Sequence, residues 1–168
     1  IGMPGAGKTT VGRALARRTG KTFIDTDHEI EARTGVRVAD IFEIEGEDGF
    51  RRRECEVVER MTTGENVVLA TGGGAILDQG NREHLKSRGF VIYLHASPRE
   101  LWRRTHHDKS RPLLQGGDAR LRLEALYQKR DPLYRETADL VVDTARQSAS
   151  ALVAELLPKI EQSCGPLA

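Results

Sequence analysis

Cysteine is scarce. The 168 residues hold two, Cys55 and Cys164, far apart in the chain. That excludes a disulfide framework and fits no metal-ligand spacing. They read as a helix-packing thiol and a tail thiol, which implies a reducing compartment, the cytoplasm. A surplus of charge is missing too: 26 Lys and Arg face 25 Asp and Glu, a net charge of +1. A nucleic-acid binder normally carries a basic excess. The positive charge here is mostly arginine in local clusters, which points to anion sites instead. No apolar run approaches about 18 residues, so nothing is built to span a membrane. No signal-peptide pattern, repeat, low-complexity tract or long linker stands out. The five histidines lack a ligand spacing. His106 and His107 lie in a polar loop, as surface residues or within reach of a ligand. The length suits a single domain over 1–168 with a core that needs no disulfides.

What is present alternates between short apolar runs and amphipathic segments. A glycine-rich turn leads into a helix from about Lys8 to Thr19. A short strand holds Phe23 and Ile24. Charged helical segments cover about Asp27 to Arg33 and Val38 to Glu45, and a longer helix about Asp48 to Thr62. VVLA (67–70) is apolar, too short for a helix and bounded by glycine, hence a buried strand. A helix follows from about Gln79 to Ser87, then the strand FVIYL (90–94). Ser97-Pro98 reads as N-cap and first position of another helix. Further helices span about Ala119 to Lys129 and Ser148 to Ile160, with the strand DLVVD (139–143) between them. Strands separated by helices predict an α/β fold with a mostly parallel sheet. The chain opens at Ile1, directly on the glycine-rich loop. Such a loop follows a buried strand. Five strands are therefore expected, most of the first lying before Ile1.

GMPGAGKT (2–9) matches G-x-x-x-x-G-K-[ST] in full. In such a loop, Gly5, Ala6 and Gly7 turn successive backbone N–H groups toward phosphate oxygens. Lys8 can reach the β- and γ-phosphates, and the hydroxyl of Thr9 can bind Mg²⁺. Thr10 continues into the helix, whose positive end faces the anion. ATP with Mg²⁺ is the expected cosubstrate pair. A GTPase would need a guanine-reading motif such as N-K-x-D, and none occurs. A switch or motor ATPase normally carries a second acidic strand end and partner-facing segments. A small-molecule kinase needs an acceptor pocket, a charge clamp on the transferred phosphoryl and a lid.

Each has a candidate. In FIDTD (23–27), Asp25 and Asp27 are two apart at the end of an apolar run. They would face the same way if the run continues as a strand, forming either a solvated turn or a cation site. TGGGA (71–75) follows a strand with glycines that let a ligand approach the backbone. In FRRRE (50–54), Glu54 lies three residues from Arg51 and can orient it; Arg52 and Arg53 suit a solvated face better. Arg111 sits in the glycine-flanked stretch KSRPLLQGGD, as a lid clamp or a surface arginine. Arg104, on the helix before it, is placed to stack on a base or to face solvent.

The ordered set GMPGAGKTT, DTDHEIEARTG, IFEIEGEDGFRRRE, ATGGGA, RPLL and KRDPLY resembles the shikimate kinases, from Gly2 to about Gln147. The phosphate loop alone is not specific to that family; DTD with EIExRTG, GFRxxE and GGG together are. Gluconate kinases share the loop and the fold but lack these, and remain the alternative. The resemblance implies an α/β P-loop NTPase fold of the nucleoside-monophosphate-kinase type. It implies a five-stranded parallel sheet flanked by helices, with a mobile lid over about 107–118. It implies transfer of the γ-phosphoryl of ATP to the 3-hydroxyl of shikimate, in the chorismate route to aromatic amino acids. By the same resemblance, Asp27 binds the substrate hydroxyls and can act as base, while Asp25 supports Mg²⁺ through water. Arg51 and Arg130 hold the shikimate carboxylate, and Gly73 contacts the substrate. Arg111 is the lid arginine at the ATP phosphates, and Arg104 and Gln147 stand on the adenine side. The reading is of a monomer acting on small molecules, with no nucleic-acid or membrane partner.

Overall fold

The computed structural model describes residues 1–106, 118–145 and 147–165. Most of the expected lid, with Arg111 and His107, lies outside the described residues. Four strands are present among those described: β1 (Thr22–Asp25), β2 (Val67–Ala70), β3 (Ile92–His95) and β4 (Leu140–Asp143). They form two parallel pairs. β1 pairs with β2 from Thr22 opposite Val67 to Asp25 opposite Ala70, and β3 with β4 from Ile92 opposite Leu140 to His95 opposite Asp143. The helices are α1 (Lys8–Thr19), α2 (Thr26–Thr34), α3 (Val38–Met61), α4 (Gln79–Arg88), α5 (Pro98–Thr105), α6 (Ala119–Thr137) and α7 (Ala149–Cys164). None of the described helices is long and apolar enough to cross a membrane.

Ile1 lies alongside β3. The Ile1 nitrogen donates to Ile92 O at 2.8 Å, and Ile1 O accepts from Leu94 N at 2.9 Å. Bonding to residues on both sides of Tyr93 is the pattern of a parallel ladder. Between β2 and β3 lies an apolar cleft of about 360 Å³, lined by Ile1, Val68, Leu69, Val91, Ile92 and Leu156 among others. The two strand pairs are thus separated by a gap into which Ile1 projects.

Local chemistry sets the element bounds. α1 buries Val11, Leu15 and Ala16 and ends at Gly20, whose left-handed conformation (φ 65°) returns its N–H to Ala16 O. Arg17 and Arg18 in its last turn suit the negative end of the helix. α3 is two helices in one: Gly46, at φ 70° and ψ −175°, breaks it where the sequence predicts two segments. The Ser97 hydroxyl accepts from Glu100 N ahead of Pro98, as an N-cap does.

α6 runs eight residues beyond the expected end at Lys129, to Thr137, straight through Pro132. Proline lacks an N–H and disfavours helix in the residue before it, which is why Asp131-Pro132 reads as a stop. Tertiary contacts override this. Arg130 and Tyr134, one turn apart on either side of Pro132, are both fully buried. α7 passes Pro158 in the same way, because the buried stripe Leu152, Val153, Leu156 and Ile160 continues across it.

The main core joins Tyr93, Leu94, Leu101, Leu123, Tyr134, Leu152 and Leu156. A smaller core of Ile30, Ile41, Phe50 and Val57 packs α2 on α3. Each such buried side chain contributes about 1.5–3 kcal/mol of transfer free energy. Since all strands are parallel within their pairs, the carboxyl ends of β1 and β2 open on one edge, beside residues 2–9. Ligands bind at that edge in open α/β sheets.

Candidate active site

The glycine-rich loop is anchored by its two apolar side chains. Met3 and Ala6 are buried in the core, and Ala6 N donates to Met3 O at 3.1 Å. Gly5 and Gly7 carry the turn at positive φ. Inside it, the Lys8 ammonium donates to Gly2 O (2.8 Å) and Met3 O (3.0 Å). Two backbone carbonyls thus hold the ammonium at the N-terminus of α1, an end that favours an anion. Arg104 closes one side. Its guanidinium donates to Thr144 O (2.7 Å), Thr144 Oγ1 (3.0 Å) and Gly5 O (3.4 Å). The loop opens on a cleft of about 880 Å³ that also reaches Asp25, Asp27, Arg51, Gly73, Arg104 and Arg130. Gly5, Gly7, Lys8, Thr9 and Thr10 line the same cleft. Gln147 does not line it; its amide is exposed and donates to Glu155 at 2.9 Å.

The two aspartates do not share a strand face. β1 ends at Asp25, and Asp27 is already in the first turn of α2. Asp25 is the N-cap, so the carboxylates are related by a capping turn instead of by strand alternation. Asp25 Oδ1 accepts from Asp27 N at 3.2 Å, while its Oδ2 accepts from the Thr9 hydroxyl at 2.7 Å. Thr9 and Asp25 therefore present a hydroxyl and a carboxylate side by side at the phosphate loop. Among the described residues, no cluster of three or more His, Cys, Asp or Glu could enclose a metal. A hydroxyl and one carboxylate fit Mg²⁺, which keeps most of its waters and shares phosphate oxygens.

Asp27 is in a different electrostatic state. Its Oδ1 is buried and has no hydrogen-bond partner among the described residues. Burial first, and then the neighbouring Asp25, push its carboxyl above the ordinary range; Lys8 and Arg51 pull the other way. An unpartnered buried carboxylate oxygen costs free energy and so calls for a donor.

Arginines line the same cleft from two helices. From α3, Arg51 Nη1 donates to Glu54 Oε2 at 2.5 Å, and its Nη2 and Nε donate to Glu47 Oε1 at 3.0 and 3.3 Å. Glu54 is fully buried, and burial raises its carboxyl although Arg51 opposes the shift. The i, i+3 pairing expected of Arg51 and Glu54 is thus made, and it is deeper than a surface pair. Arg52 is exposed, and Arg53 pairs with Glu45 at 2.6 Å on the outer face. From α6, Arg130 Nη1 donates to Gly73 O at 3.0 Å, and its buried Nε has no partner among the described residues.

Residues 72–74 pass between these groups. Gly72 N donates to the Thr26 hydroxyl at 2.8 Å. A side-chain carbon at Gly74 would overlap the Arg51 guanidinium. Gly74→Ala should therefore push Arg51 off Glu54. With Arg51 in the acceptor-binding role that the resemblance implies, misplacement by an ångström is costly, so the acceptor KM should rise at least about tenfold with the ATP KM little changed. Steady-state kinetics in both substrates measures this. Thr26, Glu47, Thr144 and Tyr134 escape sequence reasoning. Only the i, i+4 spacing of Arg130 and Tyr134 hints that both face one target.

Comparison with known proteins shows the family. A family model described as shikimate kinase matches residues 4–161. The shikimate kinase of Burkholderia lata is 60% identical over 161 residues, covering 96% of this chain and 88% of its own. That of Thiobacillus denitrificans is 58% identical with the same coverage. The solved structure of shikimate kinase from Acinetobacter baumannii in complex with shikimate superposes with a TM-score of 0.94. It shares 48% identity and covers 98% of this chain and 92% of its own. A gluconokinase from Sinorhizobium meliloti shares the fold alone, at 20% identity and a TM-score of 0.51.

Proposed function

The chain belongs to the shikimate kinase family, and from that premise we propose that its cleft carries the γ-phosphoryl of ATP to the 3-hydroxyl of shikimate. The products are shikimate 3-phosphate and ADP, on the chorismate route. The activity itself, that of an ATP-dependent small-molecule kinase, comes with the family. The observation that carries the finer reading is the unpartnered Asp27 Oδ1 set in one cleft with Arg51 and Arg130. A substrate with one carboxylate and several hydroxyls needs a carboxylate acceptor and guanidinium donors.

Asp27 accepts the hydrogen bond of the attacking hydroxyl and then its proton. In a loose phosphoryl-transfer transition state that proton leaves late, so much of Asp27's contribution is alignment. Arg51 and Arg130 hold the substrate carboxylate, with Gly73 beside it. Lys8, now bonded to loop carbonyls, turns to the β- and γ-phosphates. Thr9 and Asp25 are the side chains that would hold Mg²⁺, which when bound neutralises charge on the phosphates. Arg111 is assigned to the lid, as a donor to the transferring group. Thr10, Arg104 and Gln147 are assigned to the nucleotide side; Gln147 takes that part only by leaving Glu155.

The cleft between β2 and β3 is read as the seat of a fifth strand ending at Ile1, supported by the ladder bonds of Ile1. The free thiols Cys55 and Cys164 support a cytoplasmic setting, and the enzyme is read as a monomer.

A coupled assay for ADP with ATP and Mg²⁺ tests the reading, run with shikimate and with gluconate. Turnover with shikimate and none with gluconate is expected. ADP release with shikimate no faster than without it would sink the assignment.

A further inference from the structure

The turn at residues 72–74 is held at two points by three side chains, and two of them, Thr26 and Tyr134, have no part in the function proposed above. On one side, Gly72 N is tied to Thr26, which is fully buried between Asp25 and Asp27. On the other, Gly73 O accepts two hydrogen bonds, from Arg130 Nη1 at 3.0 Å and from the Tyr134 hydroxyl at 2.5 Å. A carbonyl oxygen has two lone pairs, and both are used. Tyr134 cannot swing away. It is fully buried, its ring stacks on Tyr93 at 4.8 Å, and the Tyr93 hydroxyl is tied to Asp131 at 2.8 Å. Burial also pushes the Tyr134 hydroxyl far above its ordinary range, so it remains a donor throughout the working pH. The turn itself packs tightly on the phosphate loop: a side-chain carbon at Gly73 would come within 2.7 Å of Pro4 Cδ.

Arg130 faces two demands. It holds Gly73 O, and it carries a buried Nε–H without a partner among the described residues. A guanidinium that turns to grip a carboxylate in two-point fashion reorients as a plane, and its bond to Gly73 O loosens. If Arg130 alone held Gly73 O, binding the acceptor would leave that carbonyl without a side-chain donor. We propose that Tyr134 is a positioning residue for acceptor binding: its hydroxyl fixes the Gly73 carbonyl independently of Arg130 and frees that guanidinium to orient on the acceptor carboxylate. This rests on the assignment of Arg130 and Gly73 to the acceptor pocket.

Tyr134→Phe keeps the stacked ring and deletes only the donor. The expected result is a shikimate KM raised about five- to tenfold, the loss of one buried hydrogen bond. The ATP KM and kcat should stay within about twofold, because the phosphate loop is held by its own contacts. Shikimate Kd by calorimetry without nucleotide should weaken by the same factor. Arg130→Lys is measured alongside, since lysine cannot hold Gly73 and a carboxylate in one plane. If Tyr134→Phe leaves the shikimate KM unchanged and only lowers the melting temperature, or raises both KM values equally, the role is structural and the proposal is overturned. If Arg130→Lys raises the shikimate KM while Tyr134→Phe does not, the acceptor pocket stands and the positioning role falls. If neither moves it, the acceptor assignment fails and the proposal with it.

Discussion

Asp27→Asn lowers kcat by about 10²–10⁴-fold, the range for loss of a positioned general base, and leaves the ATP Kd no weaker than in the parent enzyme. The side chain keeps its shape, so what disappears is the acceptor for the attacking proton. ATP binding should be insulated, because the contacts proposed for it come from the phosphate loop and Thr9, and Thr9 bonds to Asp25, not Asp27. The variant should also be more stable at neutral pH. The carboxyl of Asp27 lies above its ordinary value, chiefly through burial. Such a group favours the folded state below its unfolded pKa, near 3.8. That contribution is lost as pH rises through the folded value. At neutral pH the ionised carboxylate therefore costs stability, and the amide removes the cost. Melting curves against pH should show the variant ahead at pH 7, with the gap closing toward pH 4. Unchanged turnover would remove Asp27 from the mechanism; a variant less stable at pH 7 would refute the electrostatic account of its environment.

Much of this arrangement was legible along the chain, for identifiable reasons. α1 and β2 have the expected bounds because glycines mark their ends, and local backbone preference decides there. Gly46 divides α3 for the same reason. The Arg51–Glu54 pair was legible because helical spacing alone brings the two together. Three things were not. The spacing of Asp25 and Asp27 leaves a shared strand face and a turn equally open; Asp25 caps a helix, and a capping turn begins anywhere a carboxylate can reach back to an N–H. α6 outruns Asp131-Pro132 because Arg130 and Tyr134 share a distant carbonyl, and no local rule registers a partner 57 or 61 residues away. The depth of Glu54 was hidden too: the same three-residue spacing serves a surface pair and a buried one, and only packing against residue 72 separates them.

That depth governs the second large effect. Arg51→Ala should raise the shikimate KM about 10–100-fold, the loss of one or two charge-assisted hydrogen bonds to the substrate carboxylate, with the ATP KM within about threefold. It should also destabilise the protein by about 3 kcal/mol, because it strands a buried carboxylate. Glu54 Oε2 would lose its Arg51 donor, and Oε1 already has none among the described residues. The two effects separate by pH and by a second substitution. Burial raises the carboxyl of Glu54, and Arg51 is the main influence holding it down. Without Arg51 the folded-state value climbs further, so the folded protein takes up a proton that the unfolded chain does not. Stability of Arg51→Ala is then fullest below the unfolded glutamate value near 4.5 and falls as pH rises above it. The parent should decline far less over the same interval. Glu54→Gln added to Arg51→Ala removes the stranded charge and should restore most of the melting temperature at pH 7 while leaving the shikimate KM high. If the double variant regained both, Arg51 would matter only as a partner for Glu54. If it regained stability alone, Arg51 would hold two anions by turns: Glu54 in the free enzyme, which keeps the guanidinium in place, and the substrate carboxylate when the cleft is filled.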